Sequence, residues 1–247
     1  MKKGFTLIEL LAVIVILAII SAIAIPIVLK VIYNVKVNSL KISMSNIEKA
    51  VELGATVVVC EDIPVECATG VAYIQVSNSA EALGRLASQW YGNPSSELTL
   101  VGVTGTNGKT TTAFIVKDIL AELGIKSGLI GTVKNMVGDK EFHTELTTPD
   151  PYDMHKLFKM MEDDDIKYCV METSSQAFHQ MRLAGINFKV GVFTNLTQDH
   201  LDYHGTIDEY KKCKRELFKA CDTAVINVDD EASQFMVDGL SCKKIGY

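Results

Sequence analysis

The sequence predicts an α/β fold: a mostly parallel sheet around a phosphate-holding loop, preceded by a partial α/β segment and a long apolar N-terminal helix. Three observations predict it. From Leu98 onward, apolar strand-like runs alternate with helix-like runs, the pattern of parallel strands joined by crossover helices. Between the first such strand and helix lies V-T-G-T-N-G-K-T-T-T, Val103 to Thr112, a glycine-rich turn ending in a lysine and a hydroxyl. Finally, the twenty residues from Leu10 to Leu29 carry no charge, about the length that spans a bilayer as a helix.

The chain opens M-K-K-G-F-T-L-I-E-L. Its two lysines favour a cytoplasmic N-terminus, and Glu9 stands inside an apolar segment, where a carboxylate is costly and usually functional. The apolar run is too long for a secretory signal, and no small-residue cleavage site follows it. Lys30 to Val51, with Ile42, Ile47 and Val51 apolar among polar residues, continues it as a helix. The texture then changes. Ala55–Cys60 and Val71–Val76 are β-rich, and Ser79–Tyr91 is helical in pattern, with Leu83, Leu86, Ala87 and Trp90 on one face. Asn93-Pro94-Ser95-Ser96 reads as a linker. Strands follow at Leu98–Val103, Gly128–Thr132, Lys167–Glu172, Lys189–Thr194 and Thr223–Asn227; helices at Thr110–Leu123, Pro151–Met161, Ile207–Ala220 and Glu231–Asp238. Ligands of such sheets bind at the carboxyl ends of the strands, where the motif residues fall.

A chain of 247 residues holds one large domain or two small ones. A net charge of −6, with no basic stripe, argues against a nucleic-acid partner. The cysteines Cys60, Cys67, Cys169, Cys213, Cys221 and Cys242 form no C-x-x-C pair, as expected of reduced thiols in a cytosolic setting. The mean hydropathy of +0.19 owes much to the first thirty residues.

In the loop, glycine lets the backbone approach an anion, the amides of the helix start point at it, Lys109 supplies a point charge and Thr110 is a ligand for Mg²⁺. The usual first glycine is replaced by Val103. Glu172, in Y-C-V-M-E-T-S-S-Q-A, ends an apolar strand, a natural place for a Mg²⁺ ligand. F-T-N-L-T-Q-D-H-L-D-Y-H-G packs Asp199, His200, Asp202 and His204 into six residues, a cluster suited to metal binding or proton transfer. Taken by itself, Lys214 reads as an ordinary helix-surface lysine.

T-G-T-N-G-K-T-T-T resembles the loop of the Mur ligases and their relatives, the folylpolyglutamate synthases. Thr147-Thr148-Pro149-Asp150, M-E-T-S-S-Q-A followed by Arg182, and D-H-L-D-Y-H-G narrow the resemblance to the Mur ligases that add the third amino acid of the peptidoglycan precursor. It runs from about Val51 to Tyr247. The resemblance implies an ATP-dependent amide-bond ligase, with ATP and Mg²⁺ as cofactors, UDP-N-acetylmuramoyl-L-alanyl-D-glutamate as substrate and a diamino acid as the incoming amine. It implies that Gly105, Thr106, Asn107, Gly108, Lys109, Thr110 and Thr111 hold ATP. Thr110 and Glu172 would hold one Mg²⁺ and His200 would help hold a second. Thr147, Thr148, Ser174, Gln180 and Arg182 would contact the UDP-muramoyl substrate. Lys214, nine residues after Gly205, matches a carbamylated lysine, an anion able to bind Mg²⁺. Catalysis would fall to Lys109, Glu172, His200 and Lys214. Gln176 stands where some members have histidine, and L-lysine-adding members often have glutamine.

Residues 1–48 resemble type IV prepilins and pseudopilins, whose peptidase would cut after Gly4 and whose new N-terminus, Phe5, would be methylated; Glu9 and Pro26 match positions of that helix. The expected organisation is therefore 1–48 prepilin-like signal and membrane helix, 49–96 partial UDP-binding domain, and 97–247 central ATP-binding domain, stopping short of its usual end and lacking the third domain. The two parts read as joined near residues 41–52, the ligase part cytoplasmic and residues 5–29 offering an inner-membrane anchor. The expected behaviour of such a fragment is weak ATP binding without amide-bond formation. Two alternatives stay open: a folylpolyglutamate synthase-like ligase, and a pilin-like membrane protein carrying a passive ligase fragment.

Overall fold

Strands buried on both faces need helices on both sides, and the sequence supplies them. The structure, a computed structural model, describes residues 46–247; the expected apolar N-terminal helix lies outside them. Among the described residues, no helix is long and apolar enough to cross a membrane. The described residues fall into two compact units that divide between Ser77 and Asn78.

In the first unit, residues 46–52 are helical, and strands β1 (Val57–Cys60) and β2 (Ala72–Gln75) pair in parallel, Val57 opposite Ala72. Both fall inside the expected β-rich runs.

The second unit opens with helix α1 (Ser79–Trp90), whose Asn78 cap accepts a hydrogen bond from Glu81 N. Its expected apolar face splits. Gly84, Ala87 and Ser88 are buried, whereas Leu83, Leu86 and Trp90 are exposed. The reason is close approach: a Cβ on Gly84 would stand 3.3 Å from Ala184 O, so the small residues, not the large ones, make the contact. The expected linker is a 3₁₀ turn, Pro94–Glu97, with Pro94 and Ser95 buried. The two compact units divide ahead of α1.

The sheet follows: β3 (Thr99–Thr104), β4 (Ser127–Ile130), β5 (Asn135–Val137), β6 (Lys140–Phe142), β7 (Tyr168–Glu172), β8 (Phe188–Phe193), β9 (Cys221–Ile226) and β10 (Lys243–Gly246), in spatial order β10-β9-β8-β3-β7-β4-β5-β6. All pairings are parallel except β4–β5 and β5–β6. The β5–β6 hairpin was not expected. Its signal is Gly138-Asp139 after the apolar pair Met136-Val137, with Gly138 at φ 59°, a turn that suits a two-residue hairpin. β10 was also unforeseen. Helix α2 (Lys109–Glu122) covers one face, over Val103, Leu129, Val170 and Val192. The other face carries α3 (Pro151–Asp163), α6 (Ile207–Lys219) and α7 (Ser233–Val237), with Phe158, Phe188, Leu217 and Phe218 in the core. Thr206 caps α6 by accepting from Glu209 N, the Thr-x-x-Glu arrangement of a capping box. Two short helices, α4 (Ser175–His179) and α5 (Leu201–His204), lie on the loops after β7 and β8.

β3 lies between β7 and β8, consecutive strands in the chain, so the order reverses direction beside it. Val103 pairs with Glu172, and Thr104 with Phe193. The carboxyl ends of β3, β4, β7 and β8 therefore come out together, where an open α/β sheet binds its ligands.

His155 on α3 is fully buried, and neither ring nitrogen has a partner among the described residues. Burial pulls its pKa down to about 4. The unfolded imidazole takes a proton from about pH 6.5 downward and the folded one resists it, so stability is lost as pH falls through that window. His155→Leu is expected to raise stability by about 1–2 kcal/mol at neutral pH, and by more near pH 5, in urea titrations. A loss of stability at both pH values would refute the unpaired-imidazole account.

Candidate functional site

The turn from β3 into α2 reverses sharply because Gly105 and Gly108 take φ of 150° and 84°. α2 starts without a side-chain cap at Gly108, so its first-turn amides have no helical partner and face the cleft. The loop is pinned from behind by T-N-L after β8. Thr194 Oγ1 donates to Asn107 O at 2.6 Å, Asn195 Nδ2 donates to the same oxygen at 3.1 Å, and Asn107 N donates to Asn195 Oδ1 at 3.0 Å.

Two lysines converge on one loop carbonyl. Lys109 Nζ donates to Gly105 O at 2.9 Å and to Thr106 O at 2.8 Å, and Lys214 Nζ donates to Gly105 O at 2.7 Å. Lys214 is only 1% exposed, and its ammonium sits 4.3 Å from the centre of the Tyr210 ring. Burial, reinforced by the charge of Lys109, brings its pKa down to about 7; burial also lowers that of Lys109. Two cations beside a bare helix N-terminus fit an anion. Lys214 is thus no surface residue. It shares the inward face of α6 with Tyr210, Leu217 and Phe218, a spacing that was visible in the sequence.

This burial has a measurable consequence. An unfolded lysine keeps its proton to about pH 10.5, the folded one releases it above about 7; between them the unfolded state binds more protons, so stability rises with pH. Lys214→Met is expected to remove that slope and to add on the order of 2–4 kcal/mol at pH 7. Urea titrations from pH 7 to 10 check it; an unchanged slope would count against a buried ammonium.

Glu172, at the end of β7, is 1% exposed. Its carboxylate accepts from Thr110 Oγ1 at 2.9 Å, Thr132 N at 2.9 Å and Thr132 Oγ1 at 3.2 Å. Gly131 is required beside it, since a Cβ there would stand 2.3 Å from Glu172 Oε1. Thr110 and Glu172 present hard oxygen donors at the mouth of the loop, a fit for Mg²⁺.

The chain then turns into the opposite wall. Ser174 caps α4 by accepting from Ala177 N. Thr148 is fully buried behind this wall and donates to Glu172 O at 2.9 Å, while Ser174 N donates to Thr148 Oγ1 at 3.0 Å. Thr147 Oγ1 lies 3.0 Å from Thr132 Oγ1. Arg182 donates through Nη1 to Thr148 O at 2.7 Å and through Nε to Gln180 Oε1 at 2.9 Å.

These pieces line one cleft of about 660 Å³, which includes Thr106–Thr111, Thr147, Glu172, Ser174, Gln180, Arg182, His200 and Lys214. Gly105 and Thr148 stand just behind its surface. The Asp199–His204 cluster does not converge as expected: among the described residues no three His, Cys, Asp or Glu side chains come together as a metal group. Asp199 pairs with His200 at 3.6 Å, His204 Nε2 lies 2.9 Å from Ser175 Oγ, and Asp202 is exposed. Asp199 and His200 precede α5, and Asp202 and His204, two residues apart on its turn, point in different directions. Gly131, Thr132, Thr194, Asn195, Tyr203 and Tyr210 were not foreseen as site residues, although G-T after β4 and T-N after β8 mark strand ends of the same kind.

Residues 103–247 match the Mur ligase middle domain, and residues 1–25 match the prokaryotic N-terminal methylation motif. The chain is 46% identical over 204 residues to the UDP-N-acetylmuramoyl-L-alanyl-D-glutamate–2,6-diaminopimelate ligase of Bacteroides fragilis, covering 81% of this chain and 42% of that one. It is 45% identical over 203 residues to the ligase of the same name from Clostridium tetani, with the same coverage. A solved structure of a ligase of that name superposes with a TM-score of 0.70 at 26% identity, again over 81% and 42% of the two chains. A Mycobacterium tuberculosis folylpolyglutamate synthase shares the fold, with a TM-score of 0.55 at 16% identity over 67% and 46%. The chain thus spans less than half the length of the curated relatives it matches.

Proposed function

The chain belongs to the Mur ligase family, and from that premise we propose that its cleft holds ATP beside UDP-N-acetylmuramoyl-L-alanyl-D-glutamate for the amide-forming step that adds a diamino acid. The names of the relatives favour 2,6-diaminopimelate over the L-lysine suggested by Gln176. The γ-carboxylate of the D-glutamate attacks the γ-phosphorus of ATP and ADP leaves; the amine then attacks the acyl carbon and phosphate leaves. The loop amides from Gly105 to Thr111 and the Lys109 ammonium stabilise the charge on the transferring phosphoryl group. Thr110 and Glu172 would hold one Mg²⁺, and His200 with carbamylated Lys214 a second; when bound, these ions neutralise phosphate charge. Thr147, Ser174, Gln180 and Arg182 orient the anionic substrate, and Thr148, expected to touch it, supports them from behind. Carbamylation requires a neutral amine to attack CO₂, releasing one proton, and a lysine with its pKa near 7 supplies that amine at neutral pH.

One observation carries this reading. The Glu172 carboxylate accepts a hydrogen bond from Thr110 of the nucleotide loop, while its own carbonyl accepts from Thr148 of the opposite wall. The two substrates are thereby brought to the two sides of one residue. Within this reading, residues 49–96 belong to the UDP-binding domain and 97–247 to the central domain, the ligase part cytoplasmic and residues 1–48 a prepilin-like segment cut after Gly4. Calorimetric titration of the chain should give saturable binding of the UDP-muramoyl dipeptide and none of a folate. Folate binding without dipeptide binding would transfer the site to the folylpolyglutamate synthase reading.

A further inference from the structure

Two short helices meet at the substrate side of the cleft, joined by hydrogen bonds that the reaction above does not use. Tyr203 of α5 accepts at its hydroxyl from Gln180 Nε2 at 3.0 Å and pairs with His179 Nδ1 at 2.9 Å. One residue on, His204 Nε2 pairs with Ser175 Oγ of α4 at 2.9 Å. The Tyr203 ring stands edge-on to His179 and His204, with centroids 5.3 and 4.8 Å away. Gln180 Oε1 in turn accepts from Arg182, which donates to Thr148 O. The contacts thus run from α5 through Gln180 to Arg182 and Thr148.

Long polar side chains at an open cleft hold one geometry only when something anchors them. Arg182 occupies the oxygen of the Gln180 amide, and the Tyr203 hydroxyl fixes its nitrogen. Without that hydroxyl the amide is held through its oxygen alone, and Arg182 has a less firmly oriented acceptor. Tyr203 is 41% exposed, so its hydroxyl is not a demand of the core.

We propose that Tyr203, backed by His204, is a positioning residue that aligns Gln180 and Arg182 for the anionic substrate and ties that wall to the loop bearing His200. This rests on the reading of Gln180 and Arg182 as substrate contacts. The test uses the full chain. Tyr203→Phe keeps the ring and removes only the hydroxyl; it is expected to weaken binding of the UDP-muramoyl dipeptide roughly tenfold and to leave the affinity for ATP·Mg²⁺ unchanged. His204→Gln, which can still reach Ser175, should retain dipeptide affinity that His204→Ala loses. Unchanged dipeptide affinity in Tyr203→Phe, or equal losses for both ligands, would overturn the proposal. Should the unsubstituted chain bind no dipeptide, the substrate assignment fails by itself, and amide hydrogen exchange of the ligand-free chain still reads the clamp. Amides of residues 176–182 are expected to exchange faster in Tyr203→Phe while those of residues 112–120 do not change. Unaltered exchange at residues 176–182 would overturn it.

Discussion

Glu172→Gln is expected to weaken Mg²⁺-dependent binding of ATP by about 10- to 100-fold while leaving Mg²⁺-free nucleotide binding nearly unchanged. Glutamine keeps the shape and one acceptor oxygen but loses the charge and presents an NH₂ to Thr110, which now donates to Glu172 Oε2 at 2.9 Å. A charge-assisted hydrogen bond contributes about 1.5–3 kcal/mol, and the lost anion also removes a ligand for a hard cation. Because Glu172 is 1% exposed, the folded fraction must be measured alongside by circular dichroism. Calorimetry with and without Mg²⁺ gives the comparison. Equal losses in both conditions would mean that Glu172 organises the loop and does not serve the metal.

Gly105→Ala is expected to have the largest effect on the loop itself. The residue sits at φ 150°, and an added Cβ would stand 1.9 Å from Thr194 Oγ1 and 3.1 Å from Asn195 N and O, contacts that force Thr194 or the loop to shift. Thr194 Oγ1 also holds Asn107 O at 2.6 Å, so the displacement reaches the residues proposed to face the phosphates. The expected cost is on the order of 2–4 kcal/mol of stability, with loss of measurable ATP binding. Gly108→Ala, whose nearest neighbour would be Thr194 Cβ at 3.8 Å, meets no such clash and is strained only by its φ of 84°, so it should cost less, about 1 kcal/mol. Equal effects at the two glycines would contradict the steric account.

The parts of this site legible in the sequence are those whose chemistry restricts residue type. The loop from Gly105 to Thr111 needs glycine, lysine and threonine at fixed spacing, and Glu172 needs a strand end. Periodicity placed β3, β7, β8, α2, α3 and α6 within a few residues of their positions. It failed for α4 and α5, five and four residues long, and for the three-residue strands β5 and β6, because no period repeats within so short a span. Taken by itself, Lys214 reads as surface because its charge outweighs its position on the apolar face of α6; only the resemblance reverses that reading. The role of Tyr203 was hidden for another reason: its partners, His179 and Gln180, lie 24 and 23 residues away, and only the fold brings them together.

The central claim is that one cleft holds the nucleotide and the muramoyl dipeptide on either side of Glu172. A crystal structure of the chain with a non-hydrolysable ATP analogue, Mg²⁺ and UDP-N-acetylmuramoyl-L-alanyl-D-glutamate tests it most directly. The expected density places the terminal phosphates over Gly105–Thr111, a cation between Thr110 Oγ1 and Glu172, and the dipeptide carboxylates along Ser174 and Arg182. Nucleotide bound elsewhere, or a dipeptide lying outside the Ser174–Arg182 wall, would contradict the claim.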